Sequence, residues 1–428
     1  MIKLQSKYYS ALEDFLIIFL FVFNFKIPVL RSSSFLLLIF LLLRFLFDKR
    51  YKYNTIKIIN SRYVGYLLCS YITIALGIVF FTCIHLQFDF TLLPTIINIT
   101  ITLFISIFVV SSFVLKKRDL YYLLKVLIAV FSVQSLIELL AYSFEPVLNF
   151  VQLFQSQSSI EKAASFHGRR GLALAGPLFF GLSTLFGIIF LLIIKKWEYA
   201  KRISLLDFII VLLIFVGGFF TGRTFFIGFG LGGVYFMFSN FRLIDKMKYL
   251  LKFLILIGVI CLFIITLIQI ISDELYKQLY NLIWYVFEAL FNYIEKGELS
   301  TTSSDHLMDK MYFPVSLSTI LFGDGVYTGP DGAYYMHTDA GYMRNILLFG
   351  IGGLFLLILS DIVLIWGNKE LRNKEMSKFN VFVFIYLLII HIKGEAIGYF
   401  ISIHSILFLI YILYSFDNRL NERRIHKL

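Results

Sequence analysis

Apolar stretches long enough to cross a lipid bilayer recur along almost the whole chain, and they restrict its fold more than any other feature. A spanning helix needs about 20 mostly apolar residues. The 428 residues are 59% hydrophobic and 15% charged, with a mean hydropathy of +0.84, which is more apolar surface than a soluble core of ordinary proportions can enclose. We therefore expect an all-α polytopic membrane protein, with residues 1–428 forming a single integral membrane domain.

Twelve segments are candidates for membrane spans. They lie near residues 11–30, 32–47, 63–84, 93–115, 120–143, 174–194, 205–220, 224–239, 249–271, 341–366, 379–392 and 398–416. The first and last pairs are short and are interrupted by Lys26, Arg31 and the turn that contains Lys393 and Glu395. Two longer polar segments separate the spans, one at residues 272–340 and one at residues 144–173.

Basic residues are concentrated in alternate connections between these spans. The clusters are Lys49, Arg50, Lys52, Lys57 and Arg62; Lys116, Lys117 and Arg118; Lys195, Lys196, Lys201 and Arg202; Arg242, Lys246, Lys248 and Lys252; Lys369, Arg372, Lys374 and Lys378; and Arg419, Arg423, Arg424 and Lys427. Lys and Arg in short loops are retained on the cytoplasmic side. We expect both termini to be cytoplasmic and the two long loops to face outward. The net charge of +12 then reflects contact with anionic membrane lipids, and nucleic acid is not expected as a partner.

The sequence shows no nucleotide-binding glycine loop, no metal-ligand spacing and no internal repeat. No cofactor or metal is therefore implied. The long loop is too rich in apolar and aromatic residues to be disordered. Its residues 273–294 show helical periodicity, with Glu288 and Asn292 among the polar positions, which predicts an amphipathic helix on the outer membrane surface.

Two arginine motifs could bind an anion. Arg169 and Arg170 lie between glycines shortly before Pro177, and Arg223 lies in a tight Thr-Gly-Arg-Thr turn between two spans. Guanidinium groups bind phosphate oxygens through paired hydrogen bonds, and an arginine at the edge of a membrane is costly unless it faces water or an anion. The alternatives are a pair of solvated loop arginines and a snorkelling interface residue.

Two further groups of ionisable residues lie at predicted membrane edges. His337, Asp339, Tyr342 and Arg344 stand at the exit of the long loop, and His391, Lys393 and Glu395 stand in the last turn. Asp339 or His337 could serve as a general base, with Asp339 and Tyr342 on one helical face. The alternatives are that Asp339 caps the following helix and that Lys393 and Glu395 form an ion pair.

These motifs, in this order, resemble those of the O-antigen polymerase (Wzy-type) and O-antigen ligase superfamily. The resemblance covers residues 168–399. It rests on an arginine before Pro177, on Arg223 in an outward turn, and on Asp339, Tyr342 and Gly350 after the large loop. The ligases carry histidine where this chain has Asp339, so the pattern is closer to a polymerase and leaves open whether Asp339 or His337 is the base.

The resemblance implies a GT-C-like membrane glycosyltransferase with about twelve spans and short helices in a large periplasmic loop. It would lie in a bacterial inner membrane and join undecaprenyl-diphosphate-linked oligosaccharide units, donor and acceptor, into O-antigen, capsular polysaccharide or exopolysaccharide without a metal. The residues that would bind substrate are Arg169, Arg170, Arg223, Tyr342, Arg344, Lys393 and Glu395. The resemblance also implies a chain-length regulator protein as a partner. The alternatives are an O-antigen ligase, a flippase or transporter of the same lipid-linked units, and an assembly subunit of an export complex.

Overall fold

The computed structural model describes residues 2–166, 170–268, 280–281, 283–284, 287–298 and 300–425. Within these residues the structure is helical, and one isolated bridge joins Thr328 to Tyr334. The helices are α1 (Ile2–Phe23), α2 (Ser33–Phe47), α3 (Lys49–Ile59), α4 (Arg62–Ile84), α5 (Leu93–Leu115), α6 (Leu120–Ser143), α7 (Glu145–Gln152), α8 (Gln157–Ala164), α9 (Phe180–Ala200), α10 (Leu205–Thr221), α11 (Phe225–Phe238), α12 (Leu243–Ile268), α13 (Glu288–Lys296), α14 (Thr302–His306), α15 (Leu317–Phe322), α16 (Gly341–Trp366), α17 (Lys374–His391) and α18 (Ile401–Ile425).

Several of the described helices have the length and apolar composition of membrane spans. The five that meet both requirements are α4, α5, α6, α9 and α16. Shorter apolar helices are α2, α10, α11 and the first part of α18, as far as Phe416. The expectation of a helical membrane protein is thereby confirmed, whereas the count of twelve spans stays a prediction.

Some predicted spans differ in their bounds from the observed helices. The span predicted at residues 11–30 corresponds to α1, which ends at Phe23 because Asn24 has a positive φ of 39° and Pro28 follows. The span predicted at residues 174–194 corresponds to α9, which begins only at Phe180, after Pro177. The helices predicted at residues 249–271 and 379–392 begin earlier, at the first residues of α12 and α17.

Helix α9 lies at the centre of the bundle. Of its most apolar window, 89% is buried, the largest share among the five long apolar helices. It packs against α6, α10, α11, α17 and α18. The buried Tyr386 hydroxyl on α17 donates to the Thr184 carbonyl of α9 over 2.6 Å. Residues that follow or precede α9 are therefore held at fixed positions relative to the rest of the bundle.

The predicted basic connections converge on one end of the bundle, which we call the basic end. There Glu13 and Asp14 of α1 accept from Lys116, with both distances 2.7 Å, and Glu13 also accepts from Arg44 at the end of α2. Lys196 pairs with Asp207, and Lys378 donates to the Phe238 carbonyl over 2.9 Å. The middle of α1 thus meets the ends of α2 and α5. The ends of α9 and α10 meet in the same way, as do those of α11 and α17, as alternation of the loops requires. Which face of a membrane the basic end adjoins stays a prediction.

The long loop closes over the opposite end of the bundle, which we call the loop end. The Asp89 carboxylate, between α4 and α5, accepts from the backbone N–H groups of Tyr327 and Thr328 over 2.7 and 2.8 Å. Burial would raise the pKa of Asp89, but hydrogen bonds, that of the Thr91 hydroxyl foremost, hold it below its ordinary value. These bonds attach the loop to the helices beneath it.

The described part of the long loop includes the end of the predicted amphipathic helix. The amphipathic helix predicted over residues 273–294 lies mostly outside the described residues, but α13 includes its last part. Glu288 and Asn292, predicted on the polar face, are buried, while Leu290 and Ile294 are 53% and 78% exposed. The reason is that Glu288 pairs with Arg223 and the Asn292 amide donates to the Ser300 carbonyl over 2.9 Å. The polar face of α13 therefore faces the protein.

Helix α16 is bent where the long loop meets it. Gly350 adopts φ 63° and ψ −169° within the helix, a conformation that favours glycine. Helix α15 packs on this bend, and the Asp324 N–H donates to the Leu347 carbonyl over 2.6 Å. The bend thus anchors the last part of the loop, just before the residues that the sequence marked as catalytic.

Candidate functional site

Three cations from different connections come together at the loop end. Arg170 precedes α9, Arg223 lies between α10 and α11, and Lys393 follows α17. Burial, and then the charges of Arg223 and Arg170, lower the pKa of Lys393 to about 8. Burial, and then the charge of Arg223, lower the pKa of Arg170 to about 10. We call Arg170, Arg223 and Lys393 the cation cluster, and their mutual repulsion makes it a candidate site for an anion.

The turn that carries Arg223 is fixed to the central helix. The Ser183 hydroxyl on α9 donates to the Gly222 carbonyl over 2.6 Å and accepts from the Phe225 N–H over 2.9 Å. Gly222 has a φ of 144°, and a Cβ there would lie 3.5 Å from Nη2 of Arg170. The positive φ favours glycine at this position, and the Arg170 guanidinium lies within van der Waals range of the turn.

Arg223 also pairs with Glu288 of the long loop, so it is not a free snorkelling residue. Glu288 further accepts from the Thr302 N–H over 2.9 Å and from the Thr302 hydroxyl over 2.5 Å. Burial would raise the pKa of Glu288, but the hydrogen bonds of Thr302 and Arg223 hold it below its ordinary value. Glu288 is thus an anion already present at the edge of the cation cluster.

A second, more deeply buried group surrounds Arg344, which is 6% exposed. Its guanidinium lies 4.2 Å from the ring centre of Tyr327 and 3.5 Å from that of Tyr334, and Nη1 donates to Glu395 over 2.7 Å. Glu395 also accepts from Tyr327 over 2.7 Å, from Asn345 over 3.2 Å and from Tyr399. We call Arg344, Glu395, Tyr327, Asn345 and Tyr399 the buried network.

The predicted ion pair between Lys393 and Glu395 is not what the structure shows. Glu395 pairs with Arg344, and Lys393 lies near Arg223 and Arg170 instead. The two residues stand in a turn without helical geometry, and their side chains contact different groups. The turn therefore serves both the cation cluster and the buried network.

Two buried side chains, those of His391 and Asp361, hold the chain between α17 and α18 in place. His391 Nδ1 accepts from the N–H groups of Ala396 and Ile397 over 2.9 and 3.3 Å, while Nε2 lies 2.9 Å from Asn345 Oδ1. The Asp361 carboxylate accepts from the Gly398 N–H over 3.2 Å and lies 2.9 Å from His404 Nε2. His391, a predicted candidate, is thus placed to orient this turn.

The sequence analysis did not single out Asp361, Asn345 or Tyr327. Asp361 carried a usable signal, because it is an acidic residue inside an otherwise apolar helix, and such residues are functional candidates by default. Asn345 and Tyr327 are ordinary residues for a helix and a loop. They become recognisable only through their contacts with Glu395.

Asp339 and His337 lie at the surface of the loop end. Asp339 does not cap α16, because the N-cap is Ala340 and no side chain makes a capping bond. It precedes the helix, so it does not share a helical face with Tyr342 as expected. His337 is 76% exposed and lies 3.5 Å from the Asp331 carboxylate. Within the described contacts, neither forms a hydrogen bond or ion pair with the cation cluster.

The backbone nevertheless brings Asp339 close to the turn that carries Lys393. A Cβ on Gly341, two residues after Asp339, would lie 2.7 Å from the Gly394 carbonyl oxygen. The adjacent Thr338 hydroxyl donates to the Met311 carbonyl over 2.8 Å, and the Tyr312 hydroxyl donates to the Ile392 carbonyl over 2.7 Å. Asp339 therefore lies on a segment that is packed against the turn that carries Lys393.

The remaining predicted residues are Tyr342 and Arg169. The Tyr342 hydroxyl donates to the Leu388 carbonyl over 3.0 Å, and its ring meets that of His391 edge-on, with centres 4.6 Å apart. Tyr342 thus packs the turn rather than facing the cation cluster. Arg169, with His167 and Gly168, lies outside the described residues.

No model of a known protein family, no curated protein and no solved structure matches this chain.

Proposed function

We propose that this protein polymerises undecaprenyl-diphosphate-linked oligosaccharide repeat units into O-antigen, capsular polysaccharide or exopolysaccharide. The observation that supports the proposal is the convergence of Arg170, Arg223 and Lys393 from three separate connections. A diphosphate carries several negative charges, and guanidinium groups bind its oxygens in pairs. The loop end of a membrane bundle is where the diphosphate of a membrane-anchored lipid would lie.

In this proposal the cation cluster binds the diphosphate of the donor, a growing glycan still attached to its lipid. The hydroxyl oxygen of the acceptor sugar forms a bond to the anomeric carbon of the donor glycan. The bond from that carbon to the diphosphate oxygen breaks, and undecaprenyl diphosphate leaves with the electron pair. The cations stabilise the negative charge that develops on the leaving oxygen. Asp339 or His337 takes the proton of the acceptor hydroxyl.

The finer assignments belong to the same proposal. They are a GT-C-like fold of about twelve spans, a bacterial inner membrane location, both termini in the cytoplasm, and the two long loops in the periplasm. The alternation of basic connections with long loops supports them, since the basic connections meet at one end of the bundle.

The decisive experiment supplies purified undecaprenyl-diphosphate repeat units to the detergent-solubilised protein and separates the products by glycan length. A polymerase yields a ladder of multiples of the repeat. A ligase yields no ladder and needs a different acceptor, and a flippase moves the units between leaflets of a vesicle without lengthening them. If the protein binds the single repeats but leaves them unchanged, the proposal is contradicted and an assembly subunit is favoured.

A further inference from the structure

A cavity of about 650 Å³ lies between α1, α2, α5 and α18 at the loop end. Glu395, Tyr327 and Tyr399 of the buried network line it. Its volume lies within the range of about 300 to 1,000 Å³ that is common for ligand sites. None of the three cations of the cation cluster lines it. The cavity is thus a separate space that borders the same turn, residues 392–400.

The lining combines polar groups with aromatic rings. Hydroxyl and amide groups come from Asn24, Ser32, Ser34, Thr95, Asn98, Thr102, Ser402 and Ser405, and Arg31 adds one cation. Aromatic rings come from Phe21, Phe35 and Phe400 in addition to the two tyrosines. Sugar rings present hydroxyl groups around their edge and C–H groups on their faces, so this combination suits a carbohydrate better than a lipid chain.

Asn98 is the most informative residue of the lining. It lies on the exposed surface of α5, where its neighbour Ile97 is 59% exposed outside the cavity and Ile101 lines the cavity beside it. An amide on such a surface is costly unless it faces water or a polar partner. Its position in the cavity wall indicates that this space is polar or hydrated.

We propose that the cavity binds the oligosaccharide of the acceptor, the lipid-linked unit whose hydroxyl attacks the donor. The identification of the ligand as the acceptor rests on the proposed function. The carbohydrate class of the ligand rests on the lining alone. Glu395 and the tyrosines that surround it stand between the two spaces, since Glu395 lines the cavity and lies two residues from Lys393. The donor diphosphate and the acceptor sugar would meet across residues 392–400.

A binding experiment tests the carbohydrate class directly. Cys69, Cys83 and Cys261 are replaced by alanine, and Asn98→Cys or Thr95→Cys is labelled with a fluorescent maleimide. The probes are lipid-linked oligosaccharide extracted from cells that make the protein, and undecaprenyl diphosphate without sugar. We expect the oligosaccharide to slow labelling at both positions by about tenfold, equivalent to about 1.4 kcal/mol. Ile97→Cys, exposed on the same helix outside the cavity, is the matched control and should label at an unchanged rate.

Equal protection by sugar-free undecaprenyl diphosphate would show that the cavity takes the lipid diphosphate and would overturn the proposal. If neither probe slows the labelling, the proposal is also overturned. A second variant, Asn98→Trp, should fill the cavity and lower polymer formation by about tenfold, while binding of undecaprenyl diphosphate stays as in the wild type. Ile97→Trp should keep both. If instead the wild type fails to bind undecaprenyl diphosphate or to polymerise, the proposed function is wrong, whereas the labelling result still decides whether the cavity binds carbohydrate.

Discussion

Lys393 and Glu395 stand two residues apart in one turn, yet their side chains belong to different charge groups. Glu395 accepts from Arg344 over 2.7 Å within the buried network, whereas the pKa of Lys393 is lowered by burial and by Arg223 and Arg170. Because Glu395 is committed to Arg344, it does not neutralise Lys393. The turn therefore presents a cation to one side and a satisfied carboxylate to the other.

The first prediction concerns topology. In protein whose natural cysteines are replaced, Met308→Cys in the long loop should react with an impermeant thiol reagent added to intact cells, because the loop end is expected to face outward. Arg242→Cys, at the basic end, should react only after the membrane is opened. The opposite pattern would reverse the orientation of the whole bundle.

The second prediction concerns Arg223. Arg223→Ala should weaken binding of undecaprenyl diphosphate by about tenfold, because a hydrogen bond to a charged group contributes about 1.5 to 3 kcal/mol. Arg223→Lys should restore only part of it, since a point charge lacks the planar fork. Affinity is measured by isothermal titration in detergent, with Arg202→Ala in the connection after α9 as the control.

Glu288 provides a sharper comparison at the same site. Glu288→Gln removes the negative charge that pairs with Arg223 and keeps the shape of the side chain. A diphosphate that binds Arg223 competes with Glu288, so this variant should bind undecaprenyl diphosphate more tightly than the wild type. Weaker binding by a folded Glu288→Gln variant would show that Glu288 positions Arg223 instead of competing for it.

The third prediction is a pH dependence that originates in Lys393. Its pKa of about 8 lies below the ordinary 10.5, so in the free protein its charge is lost as the pH rises through about 8. A bound diphosphate favours the charged form of Lys393 and so raises the pKa of that residue in the complex. The affinity of the protein for the diphosphate should therefore fall as the pH rises from about 8 to this higher pKa. Lys393→Arg should bind equally well across this interval, and Lys393→Met should bind weakly at every pH. Titrations at several pH values would show whether the wild-type slope disappears in both variants.

The fourth prediction separates the two candidate bases. Asp339→Asn should reduce polymer formation by a factor of about 100 to 10,000, as loss of a general base does, and His337→Gln should have a smaller effect. Since Ala340 is the N-cap of α16, Asp339→Asn removes no helix cap and the melting temperature should not change. A well-expressed Asp339→Asn variant with a wild-type glycan ladder would move the role of base to His337.

The fifth prediction concerns stability. Arg344 is 6% exposed and pairs with Glu395, and removal of one partner from a buried ion pair costs about 3 to 5 kcal/mol. Glu395→Gln alone should therefore lower the melting temperature in detergent substantially. The double variant Arg344→Met with Glu395→Gln should recover part of the loss, because no unpaired charge remains. Equal melting temperatures for the single and double variants would contradict this account of the network.

Composition and periodicity predicted the class of fold, because a chain this apolar must form membrane helices, but local bends shifted the ends of α1 and α9. The sequence also marked Arg170, Arg223 and Lys393 separately. It could not show that they meet, since their proximity depends on how α9, α11 and α17 pack. The predicted ion pair of Glu395 with Lys393 was wrong. The direction of side chains in a non-helical turn cannot be read from sequence, and the actual partner, Arg344, is far away in sequence. The cap at Asp339 was wrong because α16 begins only at Gly341.

The two walls of the cation cluster are fastened to very different degrees. Residues 392–400 are held by Asp361, His391 and the buried network, all of them enclosed by helices. Glu288, on the other wall, is buried but is attached to its surroundings through Arg223 and Thr302. In the proposed reaction undecaprenyl diphosphate must leave the site before the next lipid-linked unit binds. We expect both lipids to pass on the side of α13, where the apolar residues Leu290 and Ile294 are exposed. In that case Lys393 would keep its position, and Glu288 with its part of the long loop would move.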